Sequence, residues 1–372
     1  MNMISAFILC DQEHLSTRIR DVFSFGAHAC PASNVLSIDE GIKRLARESE
    51  ISLVVVALPP DIERALMLLP IVAKAAPGKV LAVGPTADAK LVLRALRAGA
   101  VDYADAADLE VDLEAAIQRL TAATEAAQEP GKLIAVLSPN GGGGSSTLAV
   151  NVAAALAKQH KSVGLIDLKL ESGDLAALLD LKPTFTLSDL CQNSARLDRV
   201  MFERSLVSHE SGIHLLAPPQ ELADVAHVHA ETVGLALTLA RASFPYVVVD
   251  LDHSFHEEQL VVLRQSDVIL VVFRLDFISL RNVRRTLEYM ELLGISQQNV
   301  RLIANRHGQS QEVPLSKAEE ALGTKVAHAV PDDPKAVNRA NNHGVPVIFS
   351  APSAKVSKSF GAIASSVNGK PH

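Results

Sequence analysis

The stretch LIAVLSPNGGGGSST, residues 133–147, decides the fold. An apolar run of strand length passes into four consecutive glycines and then into the Ala-rich helical run Leu148–Lys158. Strands buried on both faces of a parallel sheet read as unbroken apolar runs. Glycines let successive backbone N–H groups turn inward as an anion nest, and the helix N-terminus behind them adds partial positive charge. The segment therefore reads as a phosphate-binding loop; a Gly-rich strand-to-helix turn without ligand is the plainer alternative. Further apolar runs at 162–167, 213–217, 246–251, 268–273 and 300–305 alternate with helical stretches. That alternation predicts a doubly wound α/β sheet.

Upstream, apolar runs at 4–10, 51–58 and 79–84 with helical stretches between them predict a smaller parallel α/β sheet. Ala89–Ala98 reads as a helix closed by Gly99, and Leu109–Ala123 as another. The stretch TAATEAAQEPGK at 121–132 ends in Pro130-Gly131, both of which interrupt a helix. These signals give a first domain over 1–124, a linker over 125–132 and a second domain over 133–372. Two domains suit a chain of 372 residues, longer than one core usually organises.

The 35 Lys and Arg against 42 Asp and Glu leave a formal charge of -7, with no basic footprint for nucleic acid or anionic lipid. Arg281, Arg284 and Arg285 form the one notable basic cluster, and their helical spacing reads as a solvated face. Cys10, Cys30 and Cys191 are scattered and odd in number, which suits a reducing cytoplasm. MNMISAFILCDQEH at the N-terminus has no basic segment before its apolar run, and nowhere do 18 apolar residues run together. Neither a signal peptide nor a membrane span is expected. The pairs His227/His229 and His253/His256 lack a third ligand at recognisable spacing. Val356, Phe360, Ile363 and Val367, at helical spacing, read as the core face of a last helix.

With the loop and its downstream strands in hand, the order of elements resembles the MinD/ParA branch of P-loop ATPases, whose loop reads KGGxGK[ST]T. Gly141, Gly142, Gly144, Ser146 and Thr147 match, with Gly143 between them. Asn140 stands where that branch has a signature lysine reaching across a nucleotide-sandwich dimer, and Ser145 stands where the P-loop lysine neutralises phosphate. A hydrogen bond to a charged group contributes about 1.5–3 kcal/mol, so losing the P-loop lysine weakens nucleotide binding by about one or two decades and transition-state stabilisation further. The resemblance implies ATP with Mg²⁺ held by the nest, Ser146 and Asp250, with hydrolysis weak or absent.

VGLIDLKLESGD at 163–174 resembles the branch's switch segment, in which a strand ends in DxD. Asp167 matches the first carboxylate and Lys169 replaces the second, which would help to position the attacking water. Lys169 is either an ordinary solvated loop lysine or an inward-turned one replacing charge missing at Ser145. Asp250, ending the run at 246–251, fits a Walker B carboxylate; a cap for the next helix is the alternative. Asn305-Arg306 lies where the branch places an asparagine against adenine, and Pro331-Asp332-Asp333-Pro334 resembles its late loop near the base.

The N-terminal series, with GAVDYA at 99–104, resembles a response-regulator receiver domain. Asp11 and Glu13 match its acidic cluster, but the run at 51–56 passes into Ala57-Leu58-Pro59-Pro60 with no aspartate until Asp61, and no lysine follows Tyr103. That implies a docking module rather than phosphotransfer, with a purely structural α/β domain as the plainer alternative. A degenerate receiver followed by a deviant MinD/ParA-like domain resembles the CpaE/TadZ family, which helps to place and assemble Flp/Tad type IVb pili. The resemblance spans nearly the whole chain and includes GDLAALLDLKPTFTLSDL at 173–190 and VPDDPKAVNRANNHGVPV at 330–347. It implies a cytoplasmic localisation factor, gathered at a cell pole, forming homodimers and meeting pilus secretion machinery or polar marker proteins. An active ATPase cycling between monomer and dimer is the alternative. DNA partition is disfavoured by the acidic balance.

Overall fold

The structure, a computed structural model, describes residues 6–25, 30–48, 51–127 and 130–368, with the backbone alone for 24–25 and 121–127. The first two residues of the strand expected at 4–10, and residues 128–129 of the expected linker, lie outside the described residues. The chain divides into two compact units, Met1–Glu129 and Pro130–His372.

In the first unit β1 (Ala6–Leu9), β2 (Val35–Leu36), β3 (Leu53–Ala57), β4 (Val80–Gly84) and β5 (Asp102–Asp105) form a parallel sheet ordered β2-β1-β3-β4-β5. This is the flavodoxin-type order of an open doubly wound sheet. Side chains alternate between its faces, Phe7, Leu9, Val54 and Val56 entering one apolar cluster and Ala6, Ile8, Leu53 and Val55 the other. The helix expected to stop at Ala123 runs on to Ala127. Its Ala-rich end has strong helix propensity and meets no breaker before Pro130.

The second unit contains β6 (Lys132–Leu137), β7 (Val163–Leu168), β8 (Val207–Ser208), β9 (Ile213–Leu216), β10 (Tyr246–Leu251), β11 (Val268–Arg274), β12 (Val300–His307) and β13 (Val326–Pro331). Their order is β13-β12-β11-β6-β10-β7-β9-β8, parallel except where β8 meets β9. The strand carrying the glycine loop thus lies near the middle, between β11 and β10. Leu133, Ala135 and Leu137 enter the core on one face, while Ile134 and Val136 enter it on the other. Burial on both faces explains why β6 has no polar alternation.

The helix Ser145–His160 leaves the loop with Leu148 through Ala157 buried. Against the same core lies the helix Lys355–Asn368, where Val356, Phe360, Ile363 and Val367 are all buried, as their spacing predicts. The small side chains of the loop helix let it seat closely on the sheet. That fixes the direction in which its N-terminus points. Among the described residues no helix is long and apolar enough to cross a membrane.

Candidate nucleotide-binding site

The loop between β6 and its helix is shaped by two left-handed glycines, Gly142 at φ 75° and Gly144 at φ 92°. A side chain at Gly144 would be strained on the backbone, and its Cβ would come within 2.3 Å of Asn305 Nδ2. The loop is also tied from outside. Ser138 Oγ donates to the Asn140 carbonyl at 2.8 Å, Asn282 Nδ2 donates to Asn140 Oδ1 at 3.0 Å, and Asn305 Nδ2 donates to the Gly143 carbonyl at 2.8 Å. Asn140 is therefore bound to a helix of its own chain, Phe277–Leu292. Asn305, expected against a base, braces the loop's backbone.

Parallel register sets Asp250 of β10 directly opposite Asp167 of β7, and both side chains are fully buried. Burial raises the proton affinity of both carboxyls. For Asp167 the neighbouring Asp250 charge adds to this and the amides of Leu175 and Lys169 oppose it; for Asp250 the Lys169 charge opposes it. Asp167 Oδ1 accepts the Lys169 N–H at 3.1 Å and its Oδ2 accepts the Leu175 N–H at 3.0 Å. Both oxygens of the supposed switch carboxylate thus shape the 169–175 segment.

Lys169 turns inward. Its Nζ donates to Ser145 Oγ at 2.9 Å and to Ser146 Oγ at 2.8 Å, and it stands 3.2 Å from Asp250 Oδ2. The side chain is 17% exposed and that of Asp250 is 0% exposed, so the pair lies in a poorly hydrated floor. Of the two readings of Lys169, the inward one describes its position. Neither carboxylate oxygen of Asp250 accepts a well-aligned hydrogen bond, so the ammonium supplies its compensation by charge. Ser146 and Asp250 have the chemistry of a Mg²⁺ site, but an ammonium already stands between them. As placed, these residues do not fit a divalent cation there.

Above this floor opens a cleft of about 570 Å³ lined by Asn140, Gly141, Gly142, Ser145, Thr147 and Lys169 among others. Beside it a smaller cavity of about 220 Å³ brings together Asn305, Arg306, the Pro331-Asp332-Asp333-Pro334 run and Phe360. The sequence motifs assigned to a base thus converge on one place, next to Gly144 and Thr147, which border both spaces. Three contributors escaped sequence reasoning. Asn282 holds Asn140, Asn341 Nδ2 reaches Thr147 Oγ1 at 3.4 Å, and buried Gln259 ties the Leu168 carbonyl (2.8 Å) to the Asp252 N–H (3.2 Å). Asn282 and Asn341 bind loop residues more than 140 positions away, and Gln259 bridges two strand ends, so no local pattern reveals these contacts. Among the described residues no group of three or more His, Cys, Asp and Glu side chains could hold a metal.

Comparison with known proteins gives the fold a place. A family model described as ParA, NUBPL iron-transfer P-loop NTPase, matches residues 130–218. An uncharacterised ATP-binding protein of Methanocaldococcus jannaschii is 25% identical over 245 residues, covering 63% of this chain and 87% of the relative. The septum site-determining protein MinD of Thermotoga maritima is 23% identical over 248 residues, covering 64% and 89%. The crystal structure of a ParA family ATPase from Chlorobium tepidum superposes with TM-score 0.60 at 23% identity, over 63% of this chain and 98% of that one. The second unit has the ParA/MinD P-loop NTPase fold. MinD of Pyrococcus horikoshii, solved with Mg-ADP, superposes with TM-score 0.57 at 17% identity, over 64% and 96%. Against the loop pattern of the ParA/MinD branch, this unit lacks both lysines, and Lys169 fills the floor from just beyond the end of β7.

Proposed function

We propose that the chain is a cytoplasmic localisation and assembly factor for Flp/Tad type IVb pili, of the CpaE/TadZ kind, concentrated at a cell pole. Its ParA/MinD-type unit holds ATP without turning it over. The observation that carries the loss of turnover is the Lys169 ammonium lodged among Ser145, Ser146 and Asp250, where a second switch carboxylate would otherwise stand. A charged lysine has no lone pair with which to accept a proton from water. Asp167, the other candidate, has both oxygens engaged by backbone N–H groups. The glycine nest and the N-terminus of the helix Ser145–His160 would hold the phosphates, and the cavity beside Asn305 and Phe360 would take the base.

The first unit supports a docking role. Ala57 ends β3 where a receiver needs its acceptor aspartate. Asp61 caps the next helix by accepting the Arg64 N–H at 3.1 Å, and Asp11 accepts the Ile38 N–H at 3.2 Å. The pilus role rests on the motifs that span both units. Cells lacking the gene should fail to assemble or position Flp/Tad pili, and a fluorescent fusion should mark the pole that carries them; normal pili in such cells would defeat the proposal.

The rival reading, an ATPase cycling between monomer and dimer, draws on the likeness to MinD, which forms a complex with MinC in the Aquifex aeolicus structure. It requires a group to activate water and a lysine to reach a second copy. Neither role has a candidate at Lys169 or Asn140.

A further inference from the structure

We infer that the Lys169 ammonium takes the place of the divalent cation in this phosphate loop, so that the site binds nucleotide phosphates without Mg²⁺. In P-loop NTPases the Mg²⁺ is held by the loop Ser/Thr hydroxyl and the Walker B carboxylate. Here those two groups are Ser146 and Asp250, and Lys169 Nζ stands 2.8 Å from Oγ of the first and 3.2 Å from Oδ2 of the second. Ser145 Oγ, at 2.9 Å, is its third neighbour. Two of the ammonium's three N–H donors go to the serine hydroxyls, and its charge faces the Asp250 carboxylate.

Mg²⁺ demands oxygen ligands at about 2.1 Å in octahedral array and gives up water reluctantly. It would have to share Ser146 Oγ with a cation already bonded there, deep in a floor where Asp250 is 0% exposed. Like charges repel most strongly where water is scarce.

The ammonium's approach is built into the chain. The register of β7 with β10 fixes Asp167 beside Asp250, and Asp167 grips the backbone at Lys169 and Leu175. Gly173 packs so closely that a Cβ there would lie 2.3 Å from Pro218 Cγ and 2.8 Å from Asp167 Oδ2. Lys169 therefore starts from a fixed backbone position facing the loop. One ammonium supplies less positive charge than Mg²⁺ and the absent P-loop lysine together, so phosphate binding is weak but independent of metal.

The nucleotide part of this inference rests on the function proposed above; the exclusion of metal does not, and the test separates them. Mn²⁺, an octahedral cation read by electron paramagnetic resonance, is titrated onto the purified full chain without nucleotide. The native chain should take up none at this site, Lys169→Asp should take up one equivalent, and Lys169→Asp with Asp250→Asn should lose it again. Where Lys169→Asp fails to fold, Lys169→Ser, which removes the ammonium without adding charge, is read in its place. Uptake by the native chain that Asp250→Asn abolishes would overturn the inference; so would a folded ammonium-free variant that takes up no Mn²⁺. In calorimetric titrations the native chain should bind ATP within about twofold as tightly in EDTA as in Mg²⁺, whereas Lys169→Asp should gain about tenfold or more from Mg²⁺. Native binding that requires Mg²⁺ would refute metal independence. Absence of ATP binding in both conditions would defeat the nucleotide reading and with it the phosphate part, leaving the Mn²⁺ titration to decide what occupies the cation position.

Discussion

Replacing Lys169 by methionine should destabilise the second unit out of proportion to the volume changed. Methionine keeps most of the aliphatic stem but leaves Asp250, fully buried, without a cation; among the described residues no other basic side chain pairs with it. Breaking a buried pair by removing one partner costs about 3–5 kcal/mol, because the remaining charge is stranded. The 17% exposure of Lys169 lets water reach the vacated site, which places the expected loss near the lower end, about 3 kcal/mol. For a unit of this size about 1 kcal/mol corresponds to 2–4 °C in Tm, so the shift should be about 6–12 °C. Circular dichroism melts of the full chain at pH 7.5 would read it. Asp250→Asn should cost less, since the ammonium keeps two hydroxyl partners and some water. The double variant should lose less than the sum of the two, with coupling of about 1–2 kcal/mol. A Lys169→Met melt within about 2 °C of native, or strictly additive losses, would refute the buried-pair argument.

Three further outcomes follow from the same geometry. Ser145→Lys alone should give little gain in ATP affinity, because its ammonium would compete with that of Lys169. Combined with Lys169→Asp it should tighten binding by about one or two decades in the presence of Mg²⁺, and an equal gain from the single change would show that Lys169 leaves the loop free. Gly144→Ala should lower stability by about 1–2 kcal/mol in chemical unfolding, since φ 92° and the Asn305 contact both oppose a Cβ. Burial holds the His214 imidazole below its ordinary value. The unfolded chain therefore takes up that proton first, and stability is lost as pH falls through about 6.5. The native chain should accordingly lose more Tm between pH 7.5 and 5.5 than His214→Gln; equal losses would remove His214 as a cause.

The central strands were legible because burial on both faces demands unbroken apolar runs, as in LIAVL of β6 and YVVVDL of β10. Edge strands carry no such demand. β2 is two half-buried residues, and β13 is mostly half-buried with Ala327 exposed at the sheet's rim, so neither left a run to find. The glycine loop was legible because its geometry needs a residue type that few other structures need. The direction of Lys169 was not: it depends on the register of two strands about 80 residues apart and on the turn that Asp167 organises behind it. Asn305 shows the complementary failure. The resemblance put it against a base, but its bond to the Gly143 carbonyl emerges only once β12 is set beside β11.

Phosphate release from the purified full chain, measured with ATP and Mg²⁺ beside Asp250→Asn as the blank, tests the central claim most directly. With Lys169 occupying the floor of the loop where a second switch carboxylate is expected, the native chain should release no more phosphate than the blank. Steady turnover that Asp250→Asn abolishes would contradict the claim and establish a working ATPase.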